Sequence, residues 1–505
     1  MSGLFGTLNI GTRGMAASQT ALQTTSHNLA NMNTDGYTRQ RVNFEAENPY
    51  HLGGVGQIGT GVKLSGVVRV IDDYVTKQIQ QESGSYNRYA QKSEILSKLE
   101  MIFNEPSETG LSNGLSKFYS AWNYLGSNPE LPTAKTMVSQ EAQSLSDTLA
   151  HMSNQIEGVQ ADTVYAIQKD VMDFNNKIEQ LNTLNQQIFN VTVKGDTPND
   201  LLDQRDRLTT ELASMSNVEF SYDNYQRVEV KLDGDNLLKG NAVKKLAIVS
   251  AHDGQGNMII TDGSKDSATQ AGTLLPVGQV VIASEDGTYK EVLVTNGSIK
   301  GSQEALELVN NKQEELNRLV YSFATAVNTI HSNNYDVKGI PFFSETNSAK
   351  TLKVNEVILG DSSNVNAGQS IGEPSDELPA GDGSRATAIS ALATAKINYF
   401  GTPFDAKYDE TTMSFEPQAN GSTTSGAYNN MVTSMGIMKE QADNMAASQS
   451  EVLTFLENRR GAISGVSMNE EVVDMMKFSS AFQANARIIS VVDEMLDTLI
   501  NRTGV

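Results

Sequence analysis

Residues 141–170 read EAQSLSDTLAHMSNQIEGVQADTVYAIQKD. Within them Ala142, Leu145, Leu149, Met152, Ile156, Val159, Thr163 and Ala166 recur at alternating spacings of three and four. That is the seam of packed helices, not the period of a strand. Phe174, Ile178, Leu181 and Ile188 resume the pattern after a phase slip, and no proline falls between Pro132 and Pro198. A helix of roughly 50 residues would be about 75 Å long at 1.5 Å per residue, the length of a rod. Two other stretches carry the same spacing: Leu306, Val309, Gln313, Leu316, Val320, Phe323, Val327 and Ile330, then Met431, Met435, Met438, Ala442, Met445, Gln449, Val452 and Leu456. None can bury its stripe alone. The expected fold is mainly α with inserted β, an elongated bundle of long coiled-coil-like helices built from N- and C-terminal segments.

The insertion covers residues 218–300. There the texture changes to short β-type runs, Val228–Leu232, Leu246–Val249, Met258–Ile260, Val280–Ile282 and Val292–Val294. Asp-Gly pairs at 233–234, 253–254, 262–263 and 286–287 punctuate them as hairpin turns do. A small antiparallel β domain is expected. Residues 37–217, 301–345 and 386–465 are assigned to the helical bundle. Polar, Gly/Ser/Pro-rich stretches at 346–385 and 402–426 read as irregular loops.

The 505 residues suffice for about three domains at ~150 residues each. With 38 basic and 60 acidic residues the net charge is −22. That balance argues against nucleic acid and anionic membranes, both of which call for Lys/Arg clusters. There are no cysteines, which excludes a disulfide scaffold, a thiolate metal site and a Cys nucleophile. No apolar run approaches the ~20 residues that cross a bilayer. Met-Ser-Gly-Leu-Phe-Gly at the start has neither the basic nor the apolar region of a cleaved signal peptide.

The two ends, 1–36 and 466–505, carry thin stripes. Leu8, Met15, Leu22 and Leu29 are spaced by sevens, with Gly11, Ser18 and Thr25 at the other seam positions. Arg13 is the only charged residue among the first 34. Gly6, Gly11 and Gly14 each cost about 1 kcal/mol relative to Ala inside a helix. Near the other end Ser467-Met-Asn-Glu470 is a capping box. Val472, Met475, Ser479, Phe482, Ala486, Ile489, Leu496 and Ile500 then hold a seam interrupted by Asp493, and Arg487 is the only charge from Phe478 to Val492. Pattern alone slightly favours an ordinary terminal hairpin packed on the core. The shortage of charge on two long faces points instead to ends that pair and then bury their outer faces against neighbouring copies.

The first of these helices runs into Ser26, Asn28, Ala30, Asn31, Thr34, Gly36 and Tyr37. The asparagines and Asp35-Gly36 form a helix stop. The stretch also resembles the S-x-N-x-A-N-x-x-T-x-G-Y signature of flagellar rod, hook and hook-associated proteins. Thr38-Arg39-Gln40 resembles the hook-associated branch, and Gly59-Thr60-Gly61-Val62, Arg69 and Asp72 resemble the family's early hairpin. Phe103–Ser107, Gly110-Leu111-Ser112, Phe118, Trp122 and Asn128-Pro129 resemble blocks of the hook-associated protein one (FlgK) family. So do Asn199–Asp206, His331, Tyr335-Asp336 and Phe342-Phe343. Arg460, Ser464–Val466, Glu470-Glu471, Ala481–Arg487, Asp493 and Met495 resemble its C-terminal pattern. Asn469 and Phe482 depart from it, standing where Asp and Tyr are usual. The β insertion carries no motif that adds to this resemblance.

The resemblance implies a structural axial subunit of the bacterial flagellum that forms the junction between hook and filament by self-polymerisation. It implies an extracellular protein that leaves by type III export without a cleaved signal peptide. Its implied partners are further copies of itself, the hook protein, a second junction protein on the filament side and an export chaperone of the FlgN type on the C-terminal helix. Other readings are another axial subunit, or a secreted adhesin acting through its β domain. No enzyme, cofactor or metal is expected. His27, His51, His151, His252 and His331 show no metal-ligand spacing, and no G-K-[ST] follows the glycines at 53–61. The Met-rich face at 431–445 reads as core more readily than as a binding surface. Ends this weak predict fast hydrogen exchange at residues 5–30 in the free monomer. Strong protection there would contradict conditional ordering.

Overall fold

The computed structural model describes residues 3–502 apart from 55, 104–109, 264–266, 285–286, 334–338, 372–380 and 402–403. Parts of three family blocks and turns, at 104–107, 335–336 and 286, therefore lie outside the described residues. The chain opens with α1 (Leu4–Ala30) and a long ribbon, β1 (Gln40–Ala46), β2 (Tyr50–Leu52), β3 (Gly56–Ile58) and β4 (Val62–Arg69). Then come α2 (Asp73–Phe103), α3 (Leu111–Ser127), α4 (Pro132–Thr192) and α5 (Asn199–Met215). A β region follows: β5 (Glu219–Tyr222), β6 (Val228–Leu232), β7 (Asp235–Lys239), β8 (Ala242–Val243), β9 (Leu246–His252), β10 (Met258–Thr261), β11 (Ser267–Gln270), β12 (Val280–Ala283) and β13 (Tyr289–Glu291). The chain returns through α6 (Gly297–His331), β14 (Phe343–Glu345), β15 (Lys353–Val354), α7 (Glu356–Gly360), α8 (Ser384–Ala391), β16 (Tyr408–Asp409) and β17 (Ser414–Phe415). It ends in α9 (Thr424–Ser464) and α10 (Met468–Asp497). The protein is mainly α with inserted antiparallel β.

The 61 residues of α4 make a rod of about 90 Å, and it serves two cores in succession. Its first half, through Ala142, Leu145, Leu149, Met152 and Ile156, joins a core shared with α2, α3, α6, α8 and α9. Its second half, through Ile167, Val171, Phe174, Ile178, Leu181 and Ile188, joins a core shared with α5 and both large sheets. The slip in the pattern falls at the handover. Thr163, Ile167 and Val171 are buried, two steps of four in a row, and Ala166 drops out of the seam. An inserted four-residue step rotates the buried stripe around the helix, which lets one helix face two partners.

The β region is two sheets, a meander β5-β6-β7-β8 and a five-stranded sheet ordered β11-β10-β9-β12-β13. Its inward residues Val228, Val230, Leu232, Leu246, Ile248, Val280 and Ile282 pack on α4 and α5. The far face of the five-stranded sheet closes over its own small cluster of Ala247, Val249, Met258, Ile260 and Val281.

Three stretches differ from the sequence expectation. Residues 40–69, grouped above with the helical bundle, are an antiparallel ribbon. Residues 346–385 hold β15, α7 and a short 3-10 turn, and 402–426 hold the β16–β17 hairpin. In the last two stretches, elements of two to five residues are too short to impose a period on the sequence.

Trp122, fully buried, sits edge-on to Phe118, Phe342 and His331 with ring centroids 5.2 to 6.2 Å away. His331 is held at both nitrogens: Nδ1 lies 2.9 Å from the Ile340 carbonyl, and Nε2 accepts from the Asn366 amide at 3.0 Å. Those partners require the neutral Nδ1–H tautomer. Burial pushes the His331 pKa down to about 4; the Ile340 carbonyl opposes it, and the Arg385 and Lys135 charges add smaller downward pushes. The unfolded chain takes up that proton near its ordinary value, so this contribution is whole above about pH 6.5 and is lost as pH falls toward 4. Folding stability should drop by roughly 3 kcal/mol across that window, read by urea unfolding at stepped pH. His331→Gln should abolish the slope there.

Candidate functional site at the root of the terminal helices

The two ends pair: α1 lies along α10 over most of its length. The seam is tighter than the apolar heptad suggested. Gly11, Ala17, Ser18, Ala21, Thr25 and Asn28 are the buried residues of α1. A Cβ on Gly11 would stand 3.0 Å from Ile489 Cγ1, and one on Gly14 would stand 2.6 Å from Asn485 Oδ1. Leu8, Met15, Leu22 and Leu29 are half-buried on the flank. Close approach of the backbones leaves no room for leucine at the centre, so the larger side chains brace the sides. On α10 the fully buried residues are Glu471 and Val492. Met475, Phe482, Ala486, Ile489 and Leu496 are half-buried, Val472 is exposed, and Ile500 is 72% exposed. The contact face is therefore rotated from the expected stripe toward 471, 478, 485 and 492.

At the root of this pair the sequence motifs converge. Asn28 makes four hydrogen bonds. Its Nδ2 donates to the Gln40 carbonyl at 2.9 Å and to Glu471 Oε2 at 3.0 Å. Its Oδ1 accepts from the Gln40 amide at 3.0 Å and from the Tyr37 hydroxyl at 2.8 Å. Burial, then Asp200, Asp203 and Glu471, hold the Tyr37 phenol far above its ordinary value, so it stays a donor. Gly36 takes φ +76° and packs on Arg207, a turn that other residues rarely adopt. Thr34 bonds back to Asn31. Ser26 and Ala30 are exposed and take no part.

The next three residues each find a different socket. Thr38 donates its amide (3.0 Å) and hydroxyl (2.6 Å) to Asp203. Arg39 pairs with Glu470 and Glu471 at 2.7 Å and with Asp474 at 3.5 Å. Gln40 donates to Asp200 at 2.7 Å and accepts from Asn199 at 3.2 Å. Arg69, nearly fully buried, donates to Asp203 at 2.7 Å and to Asp206 at 2.8 Å. Burial alone would loosen its proton, but Asp206 and Asp203 outweigh it and raise the pKa. Asp200, Asp203 and Asp206 are three residues apart on α5, hence on one helix face. That spacing was the available signal for these sockets, and sequence reading passed over it. The site is a mechanical joint. Among the described residues no group of His, Asp or Glu could hold a metal ion.

Comparisons with known proteins fit this joint. Residues 96–343 match the family model described as the flagellar hook-associated protein FlgK helical domain. Residues 8–38 match that of the flagella basal body rod protein, and 460–502 that of the flagellar basal body rod FlgEFG protein C-terminal. The flagellar hook-associated protein 1 of Bacillus subtilis is 29% identical, with 100% of this chain and 99% of that protein covered. Its counterpart from Escherichia coli is 26% identical, with 98% and 99% covered. The flagellar hook junction protein FlgK from Burkholderia pseudomallei shares the fold, with TM-score 0.57, 14% identity, 77% of this chain and all of that chain covered. The paired ends and the bundle between them define an axial protein of the bacterial flagellum. Within that class its similarity is to the hook-associated protein 1 (FlgK) family, whose helical-domain model matches residues 96–343 and whose relatives align over nearly the whole chain.

Arg69→Ala strands Asp203 in a buried setting and should cost about 3–5 kcal/mol. Asn28→Ala orphans the Gln40 amide and should cost about 1–3 kcal/mol. Ser26→Ala should change little. Urea unfolding measures all three.

Proposed function

We propose that the chain is a structural subunit, not a catalyst, that polymerises through its terminal arm into the junction between flagellar hook and filament. The observation that carries this reading is the outer face of the arm. Phe5, Ile10, Val472, Val473, Met476, Ile488, Val491, Met495 and Leu499 stand 36 to 58% exposed there, with Arg13 the only charged residue of α1 and Arg487 the only one from Phe478 to Val492 of α10. A lone subunit has no use for such a face, and neighbouring copies bury it. Each copy contributes weak contacts that sum by multivalency around a ring or short tube. On this reading Leu8, Met15, Leu22, Leu29 and the α10 residues Met475, Phe482 and Ile489 support the pair from its flanks. The hook protein meets one end of the ring and a second junction protein meets the other. Export runs through the flagellar type III apparatus, with a FlgN-type chaperone covering α10 beforehand.

Residues 218–300 serve as the outward layer. Their sheets share a core with α4 and α5, so excising them would expose Phe174, Ile178 and Leu181. Met476→Asp, at an exposed site, tests assembly without that damage. The monomer should melt as before, while cells carrying the variant should show hooks without filaments and spill filament protein into the medium, as should a deletion strain. Normal filaments in the deletion strain would overturn the reading.

A further inference from the structure

The ribbon rooted beside Asn28 runs back along α1. Gly61 packs on Ile10, and Glu47 pairs with Arg13 at 2.8 Å. Its tip, β2 and β3, therefore projects past Ile10 toward the free end of the arm. Among the described residues these two strands pack substantially only on each other. A two-stranded hairpin without a supporting layer is at best marginal in water. Tyr50 and Ile58 are cross-strand partners, so they share one face, and both are exposed at 54% and 43%. No Asp, Glu, Lys or Arg occurs from Asn48 to Val62.

A second unpartnered surface lies on the far side of the root. In α9, Ile437, Met445, Val452 and Phe455 are 40 to 65% exposed. At 100° per residue they fall within one stripe, with Gln441, Asn444 and Ser448 between them. Glu440 and Glu451 flank the stripe, which contains no carboxylate and ends at Arg459, for which no described carboxylate is a partner. From Ile437 to Arg459 it covers about 33 Å.

We propose that the ribbon tip of one copy, through Tyr50 and Ile58, seats on the α9 stripe of the next copy. This rests on the polymerising role argued above and names a contact within it. The occupant is a second copy because the two surfaces complete each other. In a chain of net charge −22, copies repel wherever carboxylates face one another, and these are two faces that approach without that cost. The tip also continues the arm's assembly face, because Gly61, just beyond β3, packs on Ile10, one of the residues of that face. The contact is heterologous, tip to stripe, which propagates around or along an assembly rather than closing a dimer.

The chain has no cysteine, so engineered ones report cleanly. A strain lacking the native protein should co-express Ile58→Cys and Phe455→Cys copies, or Tyr50→Cys and Val452→Cys copies, with filament attachment scored before mild oxidation. Disulfide-linked dimers are expected in either mixture, absent from each variant alone and absent when Tyr165→Cys, an exposed site on α4, replaces the α9 partner. Filaments attached with no dimer in either mixture would overturn the contact and leave the junction role standing. Dimers from Ile58→Cys copies alone would overturn it in favour of tip against tip.

Discussion

The structure depends on one interaction used four times: a helix asparagine clamping the first residue of a strand. A side-chain amide offers the same donor and acceptor as a peptide group, so it extends a strand's hydrogen bonding by one rung onto a helix. Asn28 does this to Gln40. Asn185 takes Val228 at 2.8 and 2.9 Å, Asn175 takes Leu246 at the same distances, and Asn328 takes Phe343 at 2.8 and 2.7 Å. The last three pin the two sheets to α4 and the β14 hairpin to α6. The first pins the ribbon to the terminal arm. All four are buried, where an unmade hydrogen bond is costly, so each clamp specifies register as well as adding stability.

Around Asn28 the clamp is reinforced by charge. Arg39 is part exposed, and of its three carboxylates Glu470 and Asp474 are screened by water while Glu471 is buried. Arg69 with Asp203 is not, and it is that pair which makes the α5 socket selective for the ribbon. The arm is thus joined to the bundle mainly by directional polar contacts, while the bundle itself is held by apolar packing around Trp122 and along α4.

The long helices were legible because their stripes are one-sided over many turns. The stripes starting at Ala142 and Leu306 lead into buried cores; the one starting at Met431 is buried at Met431, Met435, Ala442 and Leu456, while Met445 and Val452 stand exposed. The arm was only half legible. On α1 a heptad of leucines and methionine runs beside a line of Gly11, Ser18 and Thr25, and hydrophobicity ranks the first above the second. The backbones meet along the second because a close seam selects small volume, not apolarity. The clamps were not legible at all. Asn28 reads as part of a helix stop, and Asn175, Asn185 and Asn328 read as polar interruptions in amphipathic helices. Their partners lie 12 to 71 residues away, so no local pattern marks them.

The different chemistry of arm and bundle has a mechanical consequence. Apolar interfaces tolerate small sliding, because burial is non-directional. Buried hydrogen bonds and ion pairs do not, because their strength falls steeply with angle. A subunit that presents its arm to neighbours in a ring needs every arm at the same angle to its bundle, or the lateral contacts of successive copies fall out of register. Asn28, Arg69 and the three aspartates of α5 fix that angle. The helices they orient are themselves held at their centre by small residues, and keep their larger apolar side chains for the flanks and the outer face. The rigid joint and the thin apolar stripes of the arm answer one requirement, that many weak contacts be offered in the same geometry by every copy.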